Sequence, residues 1–182
     1  MVIPYAAVPA WYAEWLRTRL DGMEESEALE TARLTTGIDS KALRRTAIRG
    51  ASANQWLSVP VAKGPGMLIS DHGNWPHVHL GALNAVYGRA PYFPFLFSQI
   101  EQLYGDIPLT VPELNLRMHE IIVSWLDMDA ARMARADIAM NTPRGISLRK
   151  IKEELKPNID PRLSILDVIF RFGKETLLIL LQ

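Results

Sequence analysis

The chain of 182 residues has no cysteine. That excludes disulfides, thiolate metal sites and a cysteine nucleophile, and fits a reducing compartment. It also has no charge of one sign to spare, because Lys+Arg and Asp+Glu both number 20. With no surplus of positive charge to neutralise a phosphate backbone, nucleic acid is not an expected partner. No apolar run approaches the roughly 20 residues that span a bilayer, and the apolar cluster Leu177–Leu181 is far too short. Residues 1–15 carry no basic stretch and are interrupted by Pro4 and Pro9, so they do not read as a secretory leader. A soluble cytoplasmic protein is the expectation. The chain also lacks a phosphate-binding loop and a dinucleotide fingerprint, since Gly64-Pro65-Gly66 joins two extended segments and does not open a helix. Ser164 has no nucleophile-elbow context, and no internal repeat is present.

What is there is ordinary globular material, 48% hydrophobic and 22% charged, in a chain long enough for one well-packed core. The stretch Gln55–Tyr104 holds most of the aromatics and three of the four histidines. Gln55–Val61 has strand composition, Lys63–Gly66 breaks it and Met67–Asp71 resumes extended structure. Asn74 then opens a helix with Trp75, His79, Leu83 and Val86 on one face, ended by Gly88 and Pro91. A second helix from about Pro94 places Phe93, Phe97, Ile100 and Tyr104 in a stripe. Thr110 to Glu113 form a capping box for a third helix, with Leu114, Met118, Ile121 and Trp125 as its core face.

Upstream, Val2–Tyr5 reads as a short strand and Pro9 as the first residue of a helix bearing Trp11, Tyr12, Trp15, Leu16 and Leu20. Glu24–Thr36 is a further helix closed by Gly37. Leu43–Arg49 is a strand with Arg45, Ala47 and Arg49 on one face. Downstream, Ala136–Met140 is a candidate strand and Ser147–Leu155 a short charged helix. Asp160 and Pro161 are expected to cap a final apolar helix through Phe170, ended by Gly173. The pattern predicts one α/β or α+β domain over residues 1–182, dominated by helix. Its small mixed sheet, from strands near Val2, Leu43, Gln55, Met67 and Ala136, is covered by several helices.

Three separated blocks carry a family resemblance. Arg45, Ile48 and Gly50-Ala51 lead into Gln55-Trp56-Leu57-Ser58-Val59-Pro60-Val61. Trp75, His79, Tyr87, Pro91, Tyr92 and Phe93 are followed by Tyr104 and by Leu114-Asn115-Leu116. Residues Pro161 to Phe170 precede Gly173. Together they resemble the WbqC-like family of bacterial proteins, named from an O-antigen biosynthesis cluster. The chain departs from the family pattern in the helix-like Glu24–Lys41, in Ser147-Leu148-Arg149 where the family has Asp-Leu-Arg, and in lacking an aromatic-rich insert before Pro161. The resemblance implies a cytoplasmic role in surface-polysaccharide or lipopolysaccharide biosynthesis, as an acyl- or aminoacyl-type transferase acting on an activated amino sugar. A non-catalytic binding or interaction protein of such a cluster is the other reading. A small molecule or sugar nucleotide is the ligand either would take; the cofactor is left open.

Asp71, His72, His77 and His79 have the donor chemistry of a metal site. On a helix, however, His77 and His79 point about 200° apart, so no metal is expected, with His77 exposed and His79 packed. Asn115 and His119 are one turn apart on the third helix and can present an amide and an imidazole together. His119 is the candidate general acid or base. Arg45 and Arg149 are candidate anion clamps, with Asn115 orienting a hydroxyl or carbonyl. The structural alternative pairs Arg45 with Asp167, which needs a buried partner on its apolar helix.

Overall fold

The computed structural model describes residues 5–37, 41–70, 73–127, 129 and 159–181. Its helices are α1 (Pro9–Leu20), α2 (Glu25–Thr36), α3 (Trp75–Tyr87), α4 (Phe93–Gly105), α5 (Val111–Leu126), α6 (Ile165–Phe172) and α7 (Thr176–Leu180). Helix dominates, as the pattern predicts. Strands β1 (Arg45–Ile48) and β2 (Gln55–Ser58) pair antiparallel, with Arg45 opposite Ser58 and Ile48 opposite Gln55. Among the described residues this is the whole sheet, smaller than the mixed sheet expected. Met67 lies in the turn Pro65–Met67, and its surroundings make only isolated bridges, Val61 with Ile69 and Leu68 with Thr110. Gly64 and Gly66, both at positive φ, turn the chain back too tightly for a regular strand there. Val2 and the expected elements at 136–140 and 147–155 lie outside the described residues.

The helix boundaries follow local chemistry. Pro9 starts α1, where a missing N–H costs nothing. Gly37 closes α2 at φ 62. The Thr110 hydroxyl accepts the Glu113 N–H at the start of α5. The last long helix starts later than expected. Ser164 is its cap, accepting the Leu166 N–H at 3.1 Å, whereas Asp160 closes a separate turn by accepting the Arg162 N–H at 2.9 Å.

One apolar core runs through these elements, and Trp11, Trp15, Ile48, Leu83, Ile100, Leu114, Met118 and Phe170 are buried in it. Trp75, Phe97, Ile121 and Trp125 pack against it only partly buried. On α5 the buried stripe continues through Ile122 and Leu126, one residue on from the expected Ile121 and Trp125. The reason is α1, whose aromatic rings surround His119 and so draw the Asn115/His119 side of α5 inward as well.

Polar bonds fix Ala6 and Ala7 against β1 and α6. The Ala6 carbonyl accepts both the Thr46 and the Ser164 hydroxyls at 2.9 Å. The Ser164 N–H donates to Ala47 and the Ile165 N–H to Ala7, both at 2.8 Å. Ala6 itself sits at φ 42, an unfavourable region for a side chain that persists where surrounding bonds over-determine it.

Candidate functional site

His119 projects from α5 into a cage of α1 rings. Its ring centroid is 5.1 Å from Trp15 and 5.8 Å from both Trp11 and Tyr12, the last of these stacked. Only 5% of the residue is exposed. Its Nε2–H donates to Glu25 Oε1 at 3.3 Å, the same oxygen that accepts the Trp15 indole N–H at 3.0 Å. Arg19 Nε lies 2.9 Å from the other Glu25 oxygen. The hydrogen bond from His119 is the main influence lowering the Glu25 pKa, burial opposes it, and the bond from Trp15 lowers it further. A ring that donates through Nε2 carries a bare lone pair on Nδ1 when neutral. That Nδ1 is buried and has no hydrogen-bond partner among the described residues, and the same holds for Tyr12 Oη and Trp11 Nε1.

Asn115, one turn earlier on the same stripe, is 2% exposed, and its Nδ2 donates to the Leu43 carbonyl at 2.7 Å. It therefore ties α5 to the segment entering β1. Arg45 begins that strand two residues later. Its guanidinium lies 4.4 Å from the ring centre of Trp56, a cation–π contact on a tryptophan that is 56% exposed. Arg149 lies outside the described residues, as do Asp71 and His72. The four candidate residues thus reduce to two neighbours on α5 and one strand arginine linked to them through the backbone at Leu43.

His77 is exposed and His79 is buried, as expected. The His79 Nδ1 lies 3.1 Å from the Tyr104 hydroxyl, which in turn bonds the Tyr5 hydroxyl. Burial pushes the His79 pKa down to about 4, a hydrogen bond with the Ser58 backbone opposing it. No group of three metal-binding side chains occurs among the described residues.

Asp167 finds its partner on the expected strand face but at the other end. Arg49, not Arg45, binds it, donating from Nε to Oδ1 and from Nη2 to Oδ2, both at 3.1 Å. The Tyr87 hydroxyl adds a bond to Oδ1 at 3.0 Å and Arg171 one to Oδ2 at 3.2 Å. The reason is the docking of α6, which the Ser164 N–H pins to Ala47. The helix then runs toward the Arg49 end of the strand. Reasoning from sequence missed Arg49, Tyr87 and Arg171 here, and Glu25 beside His119. Only Arg171 left a local signal, four residues beyond Asp167 on one helix.

The family model described as the WbqC-like protein family matches residues 38–158. The chain belongs to the WbqC-like protein family. In this WbqC-like chain the match takes in Arg45, Arg49, Asn115, His119 and Arg149, whereas Glu25 and Asp167 fall on either side of it. Neither the curated proteins nor the solved structures gave a match. Among the described residues, no helix of this WbqC-like protein is long and apolar enough to cross a membrane.

Proposed function

We propose that this protein serves a cytoplasmic step in bacterial surface-polysaccharide biosynthesis of the O-antigen kind, transferring an acyl or aminoacyl group to an activated amino sugar. Family membership supports the setting. The observation that carries the chemistry is the Glu25–His119 pair, in which a carboxylate holds one imidazole nitrogen and leaves the other bare. Such a pair suits general base catalysis. The amino nitrogen forms a bond to the acyl carbon, the bond from that carbon to its carrier breaks, and His119 passes the amine proton to the departing carrier. Arg45 and Arg149 bind the charged part of the sugar nucleotide, and Asn115 orients a hydroxyl or carbonyl.

A second reading is a binding protein without catalysis, and the near-complete burial of His119 favours it. So does an open groove of about 420 Å³ between α4 and α5, lined by Gln99, Gln102, Arg117 and Glu120 and by none of the proposed site residues. The two readings separate when purified protein is incubated with nucleotide-linked amino sugars and acyl thioesters and the product is followed by mass. On the transferase reading, His119→Gln lowers turnover by about 100-fold or more while the protein still unfolds cooperatively. Ligand-dependent stabilisation without turnover establishes the binding reading, and wild-type turnover by a folded His119→Gln removes His119 from the mechanism.

A further inference from the structure

The carboxylate of Asp167 is shared between two cations. Arg49 and Tyr87 fill Oδ1, and Arg49 and Arg171 fill Oδ2, which exhausts the acceptor sites of a carboxylate. Burial raises the Tyr87 pKa, so its hydroxyl stays neutral and supplies no second negative charge. Asp160, whose charge also acts on Arg49, is itself bound by both arms of Arg162.

The Arg49 guanidinium reaches the surface. Its side chain is 46% exposed, against 1% for the carboxylate beneath it. The fork from Arg49 to Asp167 uses its Nε hydrogen and one Nη2 hydrogen, so the second Nη2 hydrogen and both Nη1 hydrogens remain, and the outer edge presents a paired Nη1–H and Nη2–H. Arg171, 25% exposed, stands on the same carboxylate and lies over the Phe172 ring at 4.9 Å. Arg49 has already given up side-chain freedom to its anchor, which lowers the entropy lost when a ligand binds.

We propose that the outer edge of Arg49, anchored on Asp167 beside Arg171, is a binding site for the phosphate or carboxylate group of a small molecule. Guanidinium groups recognise both oxyanions through paired hydrogen bonds. The site is independent of the chemistry assigned to His119.

The test follows the arginine Nε–Hε signals of the wild-type protein by NMR during titration with inorganic pyrophosphate and, separately, succinate, at constant ionic strength. A saturable shift at Arg49, with Arg117 on α5 unmoved, supports the site, and the anion that saturates at lower concentration identifies the ligand class. Arg49→Lys keeps a cation beside Asp167 but lacks the second edge of donors, and it weakens that binding by about tenfold. Equal drift of all arginine signals, no saturation by either anion, or undiminished binding by a folded Arg49→Lys overturns the proposal. The wild-type titration decides even if the variant fails to fold.

Discussion

Arg49→Met tests what ties α6 to β1. The substitution keeps much of the side-chain bulk but removes both arms of the fork from a carboxylate that is 1% exposed. Hydrogen bonds to charged groups contribute about 1.5–3 kcal/mol each, and stripping a buried ion of its only partner costs about 3–5 kcal/mol. Here Arg171 and Tyr87 remain on Asp167, and Arg49 is nearly half exposed, so solvent screening reduces the loss. The expected cost is about 2–3 kcal/mol, read from urea unfolding midpoints at unchanged m-value. Asp167→Asn, which removes the charge but retains an acceptor, should cost about 1–2 kcal/mol. If the pair is the reason, the double variant costs less than the two single variants together by at least about 1 kcal/mol, beyond the ~0.5 kcal/mol scatter of independent sites. Additive effects, or a loss under about 0.5 kcal/mol for Arg49→Met, would refute the reasoning.

Two further outcomes are expected. His79, with its pKa lowered by burial to about 4, is neutral in both states above about pH 6.5, where its contribution is fully present. As pH falls from there toward 4 the unfolded chain gains a proton that the folded chain refuses, and about 3 kcal/mol is lost. Between about pH 7 and 4.5 the unfolding free energy should therefore fall less steeply in His79→Gln than in wild type, and equal slopes would contradict the assignment. Gly173→Ala combines φ 54 with a Cβ placed 2.5 Å from the Tyr92 ring, whereas Gly37→Ala at φ 62 meets no atom within 4 Å. Gly37→Ala loses about 1 kcal/mol to left-handed strain, whereas Gly173, at ψ -128, lies outside the left-handed basin as well as against Tyr92, so the thermal midpoint should drop further for Gly173→Ala. Equal drops would contradict both the added strain and the Tyr92 contact at Gly173.

Local rules were enough to locate most of the helices. Pro9, Gly37 and the Thr110 cap act through their own backbone geometry, which neighbours in sequence determine. The shared stripe of Asn115 and His119 was legible for the same reason, since a helical turn fixes it whatever packs against it. The need of Asp167 for a partner was also readable, because a charge on an apolar helix cannot be buried alone. Its choice of partner was not. Arg45 and Arg49 fall on one face of the expected strand Leu43–Arg49, and alternation cannot separate them. Ser164 decides, by bonding Ala6 and Ala47 and so fixing where α6 meets the strand. Glu25 reaches His119 across 94 residues, and no spacing rule spans that distance. Backbone conformation is set within a few residues, whereas the pairing of charges depends on which distant surfaces the core brings together.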